Sequence, residues 1–203
     1  MEDKSRSPEP RAAHLALCLD RGALSLNLEE MARRPLPGGI AAASAAAAMG
    51  AALVAKSVRI ALRRQEPAAR GYSNLEDLAC LADRHATDFL DLAAADTEVY
   101  RSVLKTRTLE AEHPLRQRAW RAAVEVPLRL AELAIPLEEP IDALFDICPP
   151  VVHAELQVGA RLLHTASEAG RLAAAENLRN CVDSDETGLL RLRLAALKET
   201  SLD

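Results

Sequence analysis

Two residues interrupt an otherwise apolar helix face, and both are of kinds that do chemistry. Leu75, Leu78, Ala82, His85, Phe89, Leu92, Asp96, Val99 and Val103 recur at spacings of three and four, the repeat that gathers side chains on one side of a helix. A carboxylate on such a seam has to be paired, neutralised or reached through a cleft. Burial raises a carboxyl pKa, which suits Asp96 to general acid or base work; paired with an arginine from another helix, it would be structural instead. Tyr100 lies one turn beyond Asp96 on nearly the same face, in position to hydrogen-bond to it. His85 and Asp96 are 11 residues apart, roughly 16 Å along a helix axis, so one helix cannot make a dyad of them. His85 then reads either as a ligand contact or as a histidine satisfied in the core.

Two further places carry polar or backbone chemistry. Pro37-Gly38-Gly39 stands directly before a long apolar segment, where free backbone N–H groups at the positive end of a helix could receive an anionic ligand; a plain turn is the alternative. Val152, Leu156, Gly159, Leu163, Ala166, Gly170, Ala173, Asn177 and Asn180 form a second stripe. Its glycines predict tight helix–helix contact, within the subunit or across a dimer, and its two closing amides need partners or act as C-terminal caps. No Gly-x-Ser-x-Gly, His-Glu-x-x-His, Walker or Gly-x-Gly-x-x-Gly pattern occurs. The five histidines show no metal-ligand spacing, so neither a metal nor a tightly bound cofactor is expected.

The elements that must hold these residues are helices. Ala and Leu make up more than a third of the 203 residues, and the aromatics are only Tyr72, Phe89, Tyr100, Trp120 and Phe145. Strand formers are scarce, which argues against a sandwich or barrel and for an all-α chain. Lys and Arg total 25 against 30 Asp and Glu, a net charge of −5 with no basic footprint or stacking platform for nucleic acid. Cys18, Cys80, Cys148 and Cys181 stand singly and no secretory leader opens the chain, which predicts reduced, buried thiols in a cytoplasmic protein. The apolar run from Ile40 to Ala55 is 16 residues, short for a membrane span.

Patterning predicts helices over Ile40–Gln65, from a Ser73 cap to Thr108, and over Pro114–Ala134, Pro140–Ile147, Pro150–Cys181 and Ser184–Leu197. The first is apolar around its girth as far as Lys56 and is expected at the centre of a bundle. Capping-box spacing opens the second (Ser73 to Glu76) and the last, at Asp183-Ser184-Asp185-Glu186. The architecture is an up-and-down bundle of long helices, with residues 1–24 as a partly disordered N-terminal extension and residues 25–203 as the domain.

Pro35-Leu36-Pro37-Gly38-Gly39-Ile40-Ala41 with Met49-Gly50-Ala51-Ala52-Leu53 resembles the loop and small-residue helix of the cyclodeaminase/cyclohydrolase family. Asp96-Thr97-Glu98-Val99-Tyr100-Arg101-Ser102-Val103 is similar to that family's Asp-x-x-Ala-Tyr-x-x-Val, and Val126-Pro127-Leu128 to a third segment. The resemblance implies a cyclodeaminase-like bundle, a homodimer of bacterial type, acting on a small-molecule folate or pterin, with a tetrahydrofolate derivative as substrate and no nucleic acid or membrane partner. It implies hydrolysis of a methenyl-tetrahydrofolate-type substrate or cyclodeamination of a formimino derivative, with Asp96 and Tyr100 catalytic. Pro37, Gly38, Gly39, Tyr72, His85 and Asn177 would be substrate-binding. Hydrolysis is preferred here because no formiminotransferase domain accompanies these residues. Several family positions differ: Ile40 replaces a third loop glycine, Ala41 a serine or glycine, and Ala69-Arg70-Gly71-Tyr72 and Leu109-Glu110-Ala111 lack the family lysines. A catalytically degenerate homologue, binding a ligand or partner as a helical dimer, is the alternative, and Ile40 is expected to crowd the loop.

Overall fold

The computed structural model describes residues 28–65 and 74–199. The chain divides between Pro37 and Gly38 into two compact units. In the first, residues 28–33 are helical, Glu29–Arg33 and Glu30–Arg34 pair at 2.8 Å one turn apart, and the Leu36–Pro37 peptide bond is cis.

The second unit holds six α-helices and, among the described residues, no strand: α1 (Gly39–Arg64), α2 (Leu75–Thr106), α3 (Pro114–Glu138), α4 (Ile141–Ile147), α5 (His153–Leu178) and α6 (Asp185–Glu199). A single 3-10 turn, Pro150–Val152, leads into α5. The four long helices form a ring in which α1 packs on α2 and α5, α3 packs on α2 and α5, and α1 lies diagonally from α3. Cross-helix contacts fix their directions. Arg59 meets Asp83 while Ala41 meets Asp96, so α1 and α2 are antiparallel; Ala123 meets Asn177 while Glu138 meets His164, so α3 and α5 are too. This is the up-and-down bundle expected from the patterning.

Small residues set the spacing of the ring. A Cβ on Gly50 would lie 2.9 Å from the Gly159 carbonyl oxygen, and one on Gly159 would lie 3.0 Å from that of Gly50, so α1 and α5 cross backbone to backbone. A Cβ on Gly170 would lie 2.5 Å from the Pro127 oxygen, tighter still. The main core gathers Val54, Val58, Phe89, Leu130, Leu137, Leu156 and Leu163, all fully buried. A second cluster, with Val124, Leu128, Ala174 and Leu190, seats α6 against α3 and α5.

Several expectations need correction. α1 is not enclosed on all sides: Ala42, Met49, Ala52 and Lys56 form an exposed stripe, because a face of alanines packs equally well inside or out and leaves no periodicity to read. Among the described residues α1 is the one helix long and apolar enough to cross a membrane by length and composition; half of its most apolar window is buried against its neighbours. α3 continues four residues past Ala134, through Pro136, because a proline in the last turn forfeits one hydrogen bond and the ladder resumes with Glu139 N–H donating to Ile135 O at 3.1 Å. α5 proper stops at Leu178, and three-residue-spaced bonds from Arg179, Asn180 and Cys181 tighten its end. The cap of α6 is Ser184, whose Oγ accepts from Thr187 N–H at 3.2 Å, while Glu186 pairs instead with Arg121 at 2.9 Å. Cys80 is exposed; Cys148 and Cys181 are buried, which pushes both thiols up, and Cys18 lies outside the described residues. Ser73 also lies outside them.

Candidate functional site

Asp96 sits late in α2, where the antiparallel pairing brings it to the start of α1. Gly38, the N-cap of α1, has an extended backbone (φ −97°, ψ −170°) and no side chain to cap the helix. The Asp96 carboxylate takes over that task from another helix and accepts the Ala41 N–H. An added Cβ on Gly38 would stand 3.7 Å from Asp96 Oδ2, so the turn passes directly over the carboxylate, whereas one on Gly39 would meet nothing within 4 Å. Ile40 does not crowd this turn: it packs against the main core.

The electrostatics of Asp96 follow from this placement. The residue is half-buried and, among the described residues, has no cationic partner. Burial holds its carboxyl above the ordinary carboxylate range, and the Ala41 N–H pulls in the opposite direction. One turn into α1 from Ala41, Ser44 is fully buried and its hydroxyl has no partner among the described residues. The other buried helical serines return theirs to the backbone, Ser57 to Leu53 O and Ser167 to His164 O, each at 2.9 Å. Asp96 and, one turn into α1, Ser44 are therefore polar groups incompletely partnered among the described residues.

The remaining candidates are scattered. Tyr100 is 39% exposed and no hydrogen bond joins it to Asp96, contrary to expectation. His85 donates from Nδ1 to Leu133 O at 3.0 Å and meets Phe89 edge-on, with centroids 6.2 Å apart. A carbonyl partner requires the proton on Nδ1, so Nε2 keeps its lone pair; burial lowers the ring's pKa despite that hydrogen bond and nearby Asp88. Asn177 is used differently from the expected ligand contact. Pro127 lacks an N–H and so orphans the Ala123 carbonyl one turn back, and Asn177 Nδ2 donates to that oxygen at 2.6 Å. Pro37 belongs to the preceding unit, and Tyr72 lies outside the described residues.

Two polar residues escaped sequence reasoning. Gln117 is 4% exposed and spends its whole amide on the chain: Nε2 donates to Ala111 O (2.6 Å) and Asn180 O (3.1 Å), and Oε1 accepts from Val182 N–H (2.9 Å). A glutamine amid charged residues carries no signal for this. Arg193 of α6 forks onto Glu132 at 2.8 and 2.9 Å and reaches Glu125 at 2.8 Å, and these carboxylates raise its pKa. Both tie elements together and touch nothing at Asp96.

Comparison with known proteins adds three findings. A family model described as formiminotransferase-cyclodeaminase matches residues 27–195. The solved structure of a formiminotetrahydrofolate cyclodeaminase from Thermotoga maritima superposes with a TM-score of 0.74 at 19% identity, covering 92% of this chain and 91% of that one. A search of curated proteins gives no match.

Proposed function

The chain belongs to the formiminotransferase-cyclodeaminase family, and with it to folate one-carbon metabolism, and from that premise we propose that it hydrolyses a methenyl-tetrahydrofolate-type substrate with Asp96 as acid and base. The single observation that carries this reading is a half-buried carboxylate, without a cationic partner among the described residues, under a glycine turn. A methenyl bridge is a delocalised cation, and an unpaired carboxylate in a partly desolvated place attracts it more than the same group in water. Asp96 takes a proton from water as its oxygen bonds to the bridge carbon. It returns that proton to the ring nitrogen as the carbon–nitrogen bond breaks, while the hydroxyl on the bridge carbon releases its own proton to solvent, leaving a formyl group and one net proton. A carboxyl that burial holds above its ordinary range is a better base than an ordinary carboxylate in the first step and still an acid in the second.

The raised pKa also favours a second reaction. Cyclodeamination of a formimino derivative needs an acid to protonate departing ammonia, which the neutral form of Asp96 supplies. Two assays separate the readings: loss of the methenyl chromophore, and release of ammonia from a formimino substrate. The expected outcome is methenyl hydrolysis by the wild type and a drop in kcat of about 100-fold or more in Asp96→Asn, with no loss of thermal stability. Turnover unchanged in Asp96→Asn would remove Asp96 from the mechanism; ammonia release alone would select cyclodeamination. Silence in both assays would favour the degenerate homologue.

A further inference from the structure

We propose that the cleft between the end of α2 and the start of α3 binds a small amphipathic carboxylate. The cavity measures about 380 Å³, near the lower end for ligand sites, which suits one or two rings rather than a lipid chain. Val99, Leu115, Ala119 and Ala122 supply its apolar wall, and Leu115 is 58% exposed. Lys105 from α2 and Arg118 from α3 stand over that wall. No carboxylate lines the cleft, and neither cation forms an ion pair among the described residues.

That arrangement runs against the net charge of the chain. The chain has five more acids than bases, and on α3 itself Arg121 finds Glu186 and Arg129 finds Glu132. Two cations without an ion pair among the described residues, lining a cleft that no acid lines, therefore mark a local excess of positive charge. The Ser102 and Thr106 hydroxyls at the rim donate back to backbone carbonyls, so donors for a ligand come from the two cations. A guanidinium fork matches a planar carboxylate, with the ammonium as a second point charge, while the ring lies on the apolar wall. The inference is independent of the folate reading: the cleft begins at Val99, one turn past Asp96, and its probe carries no pterin.

The test is calorimetric titration of the full chain with 2-naphthoate and benzoate, with 2-naphthamide as the uncharged control. The wild type should bind 2-naphthoate saturably at one site, and added salt should weaken it. Lys105→Gln combined with Arg118→Gln, both surface changes that leave the core intact, should weaken binding tenfold or more, and the amide should bind at least tenfold more weakly than the acid. No saturable binding of either acid up to millimolar concentration would overturn the proposal. So would equal binding by the double variant, or by the amide.

Discussion

The α3–α5 seam and the α1–α2 seam are both antiparallel helix contacts carrying polar residues, yet they differ in how far those residues are tied to the chain. Between α3 and α5 and at their ends most hydrogen-bonding demands are met: Asn177 serves the carbonyl orphaned by Pro127, Gln117 satisfies three backbone groups, and of Glu138 one carboxylate oxygen pairs with His164 while Oε1 is buried without a partner among the described residues. Between α1 and α2, Asp96 receives one backbone N–H, and Ser44 has no partner among the described residues. Satisfied polar groups specify a packing; incompletely satisfied ones carry a free-energy cost that a fold retains when something else uses them. Under the proposed function, Asp96 is the group that makes use of that cost in the α1–α2 seam.

The largest effect should come from the closest approach. Gly170→Ala pushes a methyl group into the Pro127 oxygen and should cost about 3 kcal/mol in urea unfolding. Gly39→Ala, with open space before it, should be neutral or slightly stabilising. Equal effects from the two would erase the contrast. Gln117→Ala leaves buried backbone groups without partners and should lower stability by about 2 kcal/mol without altering kcat per folded molecule. Asn177→Ala should cost about 1 to 2 kcal/mol, measured the same way, and a selective loss of substrate affinity instead would return Asn177 to the site.

The smallest effect is the most specific. Because burial raises the Asp96 pKa in the folded state, its contribution is complete below the unfolded-state value of 3.8 and is lost as pH rises through the folded-state value. Asp96→Asn keeps an oxygen for Ala41 N–H but never ionises. Relative to wild type it should therefore gain stability as pH rises from about 4 through the folded-state value. A flat difference across that range would mean that Asp96 is effectively solvated.

Much of this was legible in the chain. The helical seam from Leu75 to Val103 and the glycine stripe on α5 predicted buried faces that the structure places in contact, because periodicity reports burial directly. The unusual position of Asp96 was readable for the same reason. The role of Asn177 depended on a proline 50 residues earlier in the chain, and that of Gln117 on chain segments brought close only by folding. Ile40 misled because its neighbours in sequence are loop glycines, whereas its neighbours in space are core side chains.

The borrowed cap on α1 also has a consequence for assembly of the chain. Gly38 offers no side chain to start the helix, and the acceptor for Ala41 N–H arrives from a residue 55 positions later. The first turn of α1 closes locally through Ala42 N–H to Gly38 O at 3.2 Å, but its cap is complete only when α2 is docked. The geometry of the candidate site is thus set by the docking of two helices and not by the glycine loop alone.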